Sequence, residues 1–431
     1  MSRKFRAVLF FLGAAVAGLS AQEKALTVDD CIKMAMENNV KVEIAREKIN
    51  EKTAGVKEAS ASMLPKVSAS ANYTRLGEAP TMEFNGMQFK AGNENMYSTS
   101  LSVTQPLYTG GKITTGRRMA SMGLSASEYQ RDAAEKDVTK DVKKAYYSVL
   151  AARKSLVSLD SSIALMEVLV RDMGNAVDVG MRGENEKLQA EVQLLNQKLT
   201  RQQAASGAEV ATDMLCALIG KPIGDSLVLV EDLEAPEAFT LPSLESLQAK
   251  ATKNYPEVKA LEEQLAIVEA SKKLAEASYL PNVLASAGLS GKSTGVDELK
   301  WQNDQSISLL LQWDLYDGGA AWQKRAQAVS QMRQLSLTLQ DLRTNLELMV
   351  KNNYNSLKVA FEGLEIARKS IEQAKKSYDI TYDKFQQGLV ISSELLNVQN
   401  SRLMSEINYY RALSDYFSKR AELDYLITLE N

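Results

Sequence analysis

The chain has 431 residues, with 51 lysines and arginines against 54 aspartates and glutamates, for a formal net charge of −3. That balance excludes the basic surplus of a nucleic-acid binder, and 45% hydrophobic with 6% aromatic residues excludes both a disordered chain and a bundle of membrane helices. Histidine is absent altogether, which removes imidazole catalysis and most zinc sites.

Residues 1–21 carry Arg3, Lys4 and Arg6, then an apolar run over 7–19, then small residues. This is the layout of a secretory signal peptide cut after Ala21, and the run is short for a membrane span of about 20 residues. No cysteine stands directly after the cut, which argues against an acylated N-terminus. Cys31 and Cys216, the only cysteines, fall in helical patterns and read as small buried side chains; a disulfide between them is left open.

From residue 22 the chain is written twice. The first copy, 22–220, predicts a helix over about 27–63, the pair Leu64 and Pro65, strands over about 65–75 and 98–108, and "PLYTGG" at 106–111. A helix over 112–178, a turn at Gly180 and a return helix over 184–219 complete it. A linker over 221–241 leads to the second copy, 242–431. That copy predicts a helix over about 243–279, Leu280 and Pro281, strands over 281–290 and 304–315, and "DLYDGG" at 314–319. Helices over 319–386 and 392–427 follow, on either side of Gly388. Matched positions lie 216 apart up to Leu-Pro and 208 apart beyond Gly-Gly, so the first copy is 8 residues longer between those marks.

The strands alternate with period two. Val67, Ala69, Ala71 and Tyr73 are interleaved with Ser68, Ser70, Asn72 and Thr74, while Ile307, Leu309, Leu311 and Trp313 alternate with Ser306, Ser308 and Gln312, interrupted only by Leu310. One face is therefore dry and the other wet. Proline at each strand start and the pairs Gly110, Gly111 and Gly318, Gly319 mark abrupt changes of backbone conformation. The 67 residues of 112–178 would span about 100 Å as one helix. Their seam of Val149, Ala152, Leu156, Leu159, Ile163, Met166, Val170, Met173 and Val177 is repeated from Leu357 to Phe385. Apolar residues spaced by sevens demand a partner helix. The shorter helices would stack end to end beside it, around a middle region holding the helix breakers "NNV" and "NYP".

Four amphipathic strands cannot cross a bilayer alone, because each unpaired edge group in hydrocarbon costs several kcal/mol. Several chains must therefore share one closed barrel. Eight strands would leave an interior filled by side chains, whereas twelve leave room for a lumen, and the serine- and asparagine-rich faces suit a wet lumen.

The doubled Leu-Pro, Leu-Tyr-x-Gly-Gly and Gly-[Met/Leu] landmarks resemble TolC-type outer-membrane efflux ducts over essentially the whole mature chain. The resemblance implies a mainly α fold with membrane β structure. Each repeat is then a long helical hairpin plus a β-hairpin, and three protomers make a 12-stranded barrel continuous with a periplasmic α-barrel. It implies a passive exit duct of a tripartite export machine, with no enzymatic activity and no cofactor. The implied partners are two further copies of the chain, outer-membrane lipid, a periplasmic adaptor and an inner-membrane transporter of RND type.

By the same resemblance, Leu64, Pro65, Gly110, Gly111, Leu280, Pro281, Gly318 and Gly319 are strand–helix junctions. Val179, Gly180, Met181, Gln387, Gly388 and Leu389 are tips that meet the adaptor, and Glu394, Asn397 and Glu186 line the aperture. Where some relatives place a basic latch residue and a tyrosine this chain has Val390 and Phe385, so a closing latch of that kind is not expected. "GGKITTG" at 110–116 has the wrong spacing for a phosphate loop, and its twin "GGAAWQK" lacks the features. A type I protein secretion duct and, in a different class, a periplasmic coiled-coil scaffold without a channel remain open as alternatives.

Overall fold

The computed structural model describes residues 25–230, 233–293 and 301–427; the leader expected over 1–21 lies outside them. In chain order the elements are α1 (Val28–Asn38), α2 (Val40–Ala61), β1 (Lys66–Arg75), β2 (Thr81–Phe84), β3 (Met87–Lys90), β4 (Asn95–Tyr108), α3 (Lys112–Asp178) and α4 (Glu184–Ile219). The second half runs α5 (Leu244–Asn254), α6 (Pro256–Glu276), β5 (Asn282–Ser293), β6 (Trp301–Gln312), α7 (Ala320–Gln386) and α8 (Ser392–Ile427).

Where single helices were expected over 27–63 and 243–279, the structure has two each, because the chain turns extended at one residue. Asn39 (φ −76°, ψ 126°) ends α1 and caps α2 by accepting from Lys41 N–H, and its amide donates to Leu218 O at 2.8 Å. The matching residue, Tyr255 (φ −66°, ψ 125°), precedes Pro256 at the first position of α6, where a missing N–H costs nothing. Both breaks fall at equivalent places in the two repeats.

The two 67-residue helices α3 and α7 each fold back on a 36-residue return helix. Burial repeats with the sequence. Cys31, Ala35, Val42, Val138, Val142, Val149 and Leu215 lie in one core, and Leu247, Ala251, Val258, Leu346, Val350, Leu357 and Leu423 occupy the corresponding places in another. Cys31 thus stands where the second repeat has a leucine. Both cysteines are free and buried, and burial pushes the Cys31 thiol up to about 11. The seam from Val149 to Val177 is buried or half-buried throughout, as is its counterpart.

The four long strands form one antiparallel sheet in the order β1-β4-β5-β6. Pairing within the repeats is equivalent residue for residue, since Lys66 opposite Thr104 corresponds to Asn282 opposite Gln312. Register gathers the polar side chains on one face. Ser68 and Ser102 hydroxyls share a hydrogen bond at 2.8 Å, as do Ser70 and Ser100 at 2.8 Å and Ser286 and Ser308 at 2.6 Å. The opposite face carries Val67, Val103, Ala287 and Ile307 in one row. Toward the helices Leu310 sits opposite Leu284 on the serine side, so the interruption in the alternation marks the base of the sheet. The sheet is open, with β1 and β6 each lacking an outer neighbour.

The 8-residue excess of the first repeat is not a plain loop. It forms a second hairpin, β2-β3, closed by Asn85 (φ 56°) and Gly86 (φ 80°). Asn-Gly accepts the left-handed conformation that matches strand twist, a signal present in "FNGM" and not used in the sequence reading.

Candidate functional site

Two places combine irregular backbone with polar chemistry: the strand–helix junctions and the tips of the helical hairpins. At the first junction Gly110 (φ 61°) and Gly111 (φ 82°) turn the end of β4 into α3. A Cβ on Gly110 would stand 2.7 Å from Leu280 Cβ and 3.0 Å from Ala277 O, so the glycine of the first repeat is the seat for the Leu-Pro corner of the second. Gly318 and Gly319 repeat the geometry (φ 68° and 82°), but nothing lies within 4 Å of the Cβ positions, and Leu64 is 64% exposed. A further equivalence ties each strand to its corner. Gln105 Nε2 donates to Met63 O at 2.9 Å, and Trp313 Nε1, at the matching position, donates to Tyr279 O at 3.0 Å.

At the tips the two helix ends are the same device. Met181 N–H reaches Ala176 O (2.8 Å) and Gly180 N–H reaches Val177 O (2.9 Å); Leu389 and Gly388 reach Lys384 O (2.9 Å) and Phe385 O (3.0 Å). Gly180 (φ 72°) and Gly388 (φ 73°) supply the left-handed residue this cap requires. Val179, Met181 and Leu389 stand exposed beside them.

Between the tips lies a cavity of about 820 Å³, lined among others by Arg182, Glu186, Tyr378, Phe385, Val390 and Glu394. Glu186, in the first turn of α4, accepts from Arg182 Nη1 at 2.9 Å and from Ser392 Oγ at 2.7 Å. These two hydrogen bonds hold its carboxyl below the usual range, and Arg182 stacks over the Phe385 ring at 4.2 Å. Glu186 is thus committed to a bridge between the two repeats. Glu394 and Asn397, both exposed on the first turns of α8, share a helix face as i and i+3; Glu394 forms no ion pair among the described residues. Of the three aperture candidates, Glu186 and Glu394 share the cavity, and Asn397 lies one turn along.

Sequence reading missed Arg182 and Ser392. The i, i+4 spacing of Arg182 and Glu186 was visible, but Ser392 is 206 positions from Glu186 and only the fold joins them. Val390 and Phe385 do stand where noted. Arg182 of the first tip lies over the Phe385 ring of the second.

An open four-stranded sheet with one apolar and one serine-lined face, set on paired helices of about 100 Å, defines a segment of a transmembrane duct. The chain belongs to the outer membrane efflux protein family, whose model matches residues 31–221 and 247–427. It is 21% identical over 406 residues to the pyoverdine export outer membrane protein OpmQ of Pseudomonas aeruginosa, covering 90% of this chain and 84% of that one. Its fold is similar to that of the Campylobacter jejuni CmeC outer membrane channel, with TM-score 0.75, 16% identity and 99% and 94% of the two chains covered. It also matches the open-state Neisseria gonorrhoeae MtrE outer membrane channel, with TM-score 0.74, 18% identity and 93% and 88% covered. The protein is therefore an outer-membrane efflux channel component with a large periplasmic helical part.

Proposed function

We propose that three copies of this chain close into a 12-stranded barrel that continues downward as a helical duct, the exit of a tripartite export machine. The observation that carries this reading is the incomplete seam. Gly110 holds Leu280 within the chain, whereas Gly318 is vacant, Leu64 is exposed and two strand edges are unpaired. In lipid such edges need partners. Rows of tyrosine and tryptophan mark the two ends of the apolar face. Tyr73, Tyr97 and Trp301 lie at the far end, Tyr108 and Trp313 at the helix end. Twelve residues along a strand, tilted as in known barrels, give a band about 25–30 Å high, near the thickness of the hydrocarbon.

The exposed tips around Gly180 and Gly388 dock on an adaptor, and an inner-membrane pump of RND type supplies the energy. The cargo is a small molecule, a reading supported by the likeness to the pyoverdine export outer membrane protein OpmQ. Glu394 and Asn397 ring the narrow periplasmic aperture, where three copies of one carboxylate set a field that attracts cations. The bridge of Arg182, Glu186 and Ser392 holds the tips together in the closed state.

Purified protein in planar bilayers tests the reading. It is expected to be extracted only with detergent, to have the mass of three chains and to conduct with cation preference. Glu394→Ala with Asn397→Ala should weaken that preference and the block by divalent cations. Recovery in the soluble periplasm without conductance would point instead to the scaffold. A photo-crosslinker at Met181 that captures only a secreted polypeptide substrate's own transporter would favour the protein secretion duct.

A further inference from the structure

The hairpin β2-β3 presents an apolar face that the duct itself does not use. Its register sets Met82 opposite Phe89 and Phe84 opposite Met87, so all four lie on one face, with Thr81, Glu83, Gln88 and Lys90 on the other. All four apolar side chains are more than half exposed. The hairpin is fastened to the sheet by Leu76 N–H to Glu94 O (2.8 Å) and Ala91 N–H to Pro80 O (2.6 Å), with Gly92 set against the Pro80 ring. It is a built element, and only the first repeat has the residues for it.

In the duct proposed above, hydrocarbon does not cover this face. Tyr73 and Tyr97, with ring centroids 5.0 Å apart, belong to the row that ends the apolar band, and aromatic rows sit at the membrane surface. The hairpin starts at Thr81, beyond that row and outside the lipid. A Met and Phe face left in water there is costly, and the element that recurs around the rim is the same hairpin of the other copies. The lengths agree. Twelve strands about 4.8 Å apart and tilted about 40° enclose a radius of about 12 Å, and a four-residue strand reaches about 14 Å. Three hairpins inclined toward the axis would therefore reach one another there.

We propose that β2-β3 from three copies pack their Met82, Phe84, Met87 and Phe89 faces together over the outer mouth, as a hydrophobic seal separate from the periplasmic aperture. The occupant of each face is a second copy of this chain. Thioether and aromatic groups pack adaptably, which suits a contact that parts when cargo passes, and an apolar constriction excludes water and ions until it opens. The polar faces remain toward solvent and the lumen. The proposal rests on the trimeric reading above.

Two experiments on the full-length protein in intact outer membranes test it. Met87→Cys should give covalent dimers from most chains with a short bis-maleimide, whereas Gln88→Cys, on the polar face, should give few; Cys31 and Cys216 are buried and do not compete. Equal yields from the two variants would overturn the seal. In the second, Ser100→Cys places a thiol on the serine-lined face, and a bulky polymer-linked maleimide is added from outside. Phe84→Ser with Phe89→Ser should speed its labelling at least tenfold, and unchanged labelling overturns the seal. The mass of the extracted protein is measured in parallel. Loss of the trimer would count against the duct itself, and a trimer with uncoupled hairpins only against the seal.

Discussion

Gly110 and Gly318 have the same left-handed backbone and different surroundings. Gly110→Ala meets both the φ penalty and the Leu280 corner, each of which costs roughly 1–3 kcal/mol, so the single chain should lose stability. Gly318→Ala meets only the φ penalty within the chain and the Leu64 corner of a neighbour after assembly. Its expected signature is a trimer that falls apart at lower temperature, read on semi-native gels, with a larger loss in the trimer than in the unfolding of the separated chain. At the tips Glu186 has a lowered folded pKa. A depressed carboxylate contributes stability above its unfolded value and loses it as pH falls through the folded one. Closed channels should therefore open more often as the pH drops below the ordinary carboxylate range. Glu186→Gln should be more open at neutral pH and flat across that window, measured as single-channel open probability. Arg182→Ala should resemble it at neutral pH, with an increase of several-fold if the bridge contributes about 1–2 kcal/mol.

Between elements the internal repeat makes the unseen seam calculable. Within the chain Val103 of β4 lies opposite Ala287 of β5. Moving each residue to its counterpart in the other repeat sets Leu311 of β6 opposite Ala71 of the partner subunit, and both belong to the apolar face. A chain carrying Leu311→Cys and Ala71→Cys should form covalent trimers on mild oxidation, while Leu309→Cys with Ala71→Cys, two residues out of register, should not. The reverse result would leave a barrel with another shear. Only residues of the long strands set this register, and alternation in β1, β4 and β6 is legible in the sequence. The hairpin β2-β3 is announced in the sequence only by Asn85 and Gly86, because its two strands of 4 residues each are too short for a period of two to stand out. The sequence marks "NNV" and "NYP" as helix breakers, and the structure sets the breaks at Asn39 and Tyr255. A break costs only one or two hydrogen bonds, and its position is decided by what the freed groups find, as Asn39 finds Leu218 O.

At the scale of the molecule, two equivalent cores and a shared tip cluster of Met166, Met173, Ala190, Tyr378 and Leu395 hold one chain as two similar staves. No helix among the described residues is long and apolar enough to cross a membrane; the sheet carries the row of exposed apolar side chains that includes Val67 and Ile307. The sequence alone determined the doubled plan, the fold class and the two-faced alternation of the strands, because periods of two and seven and paired glycines act on neighbours along the chain. Tertiary structure alone decided what spans the repeats: Leu280 seated on Gly110, Ser392 brought to Glu186 and Arg182 laid over Phe385. Such contacts join residues about 170–210 positions apart, and no local pattern encodes them; they exist because two long hairpins are held side by side.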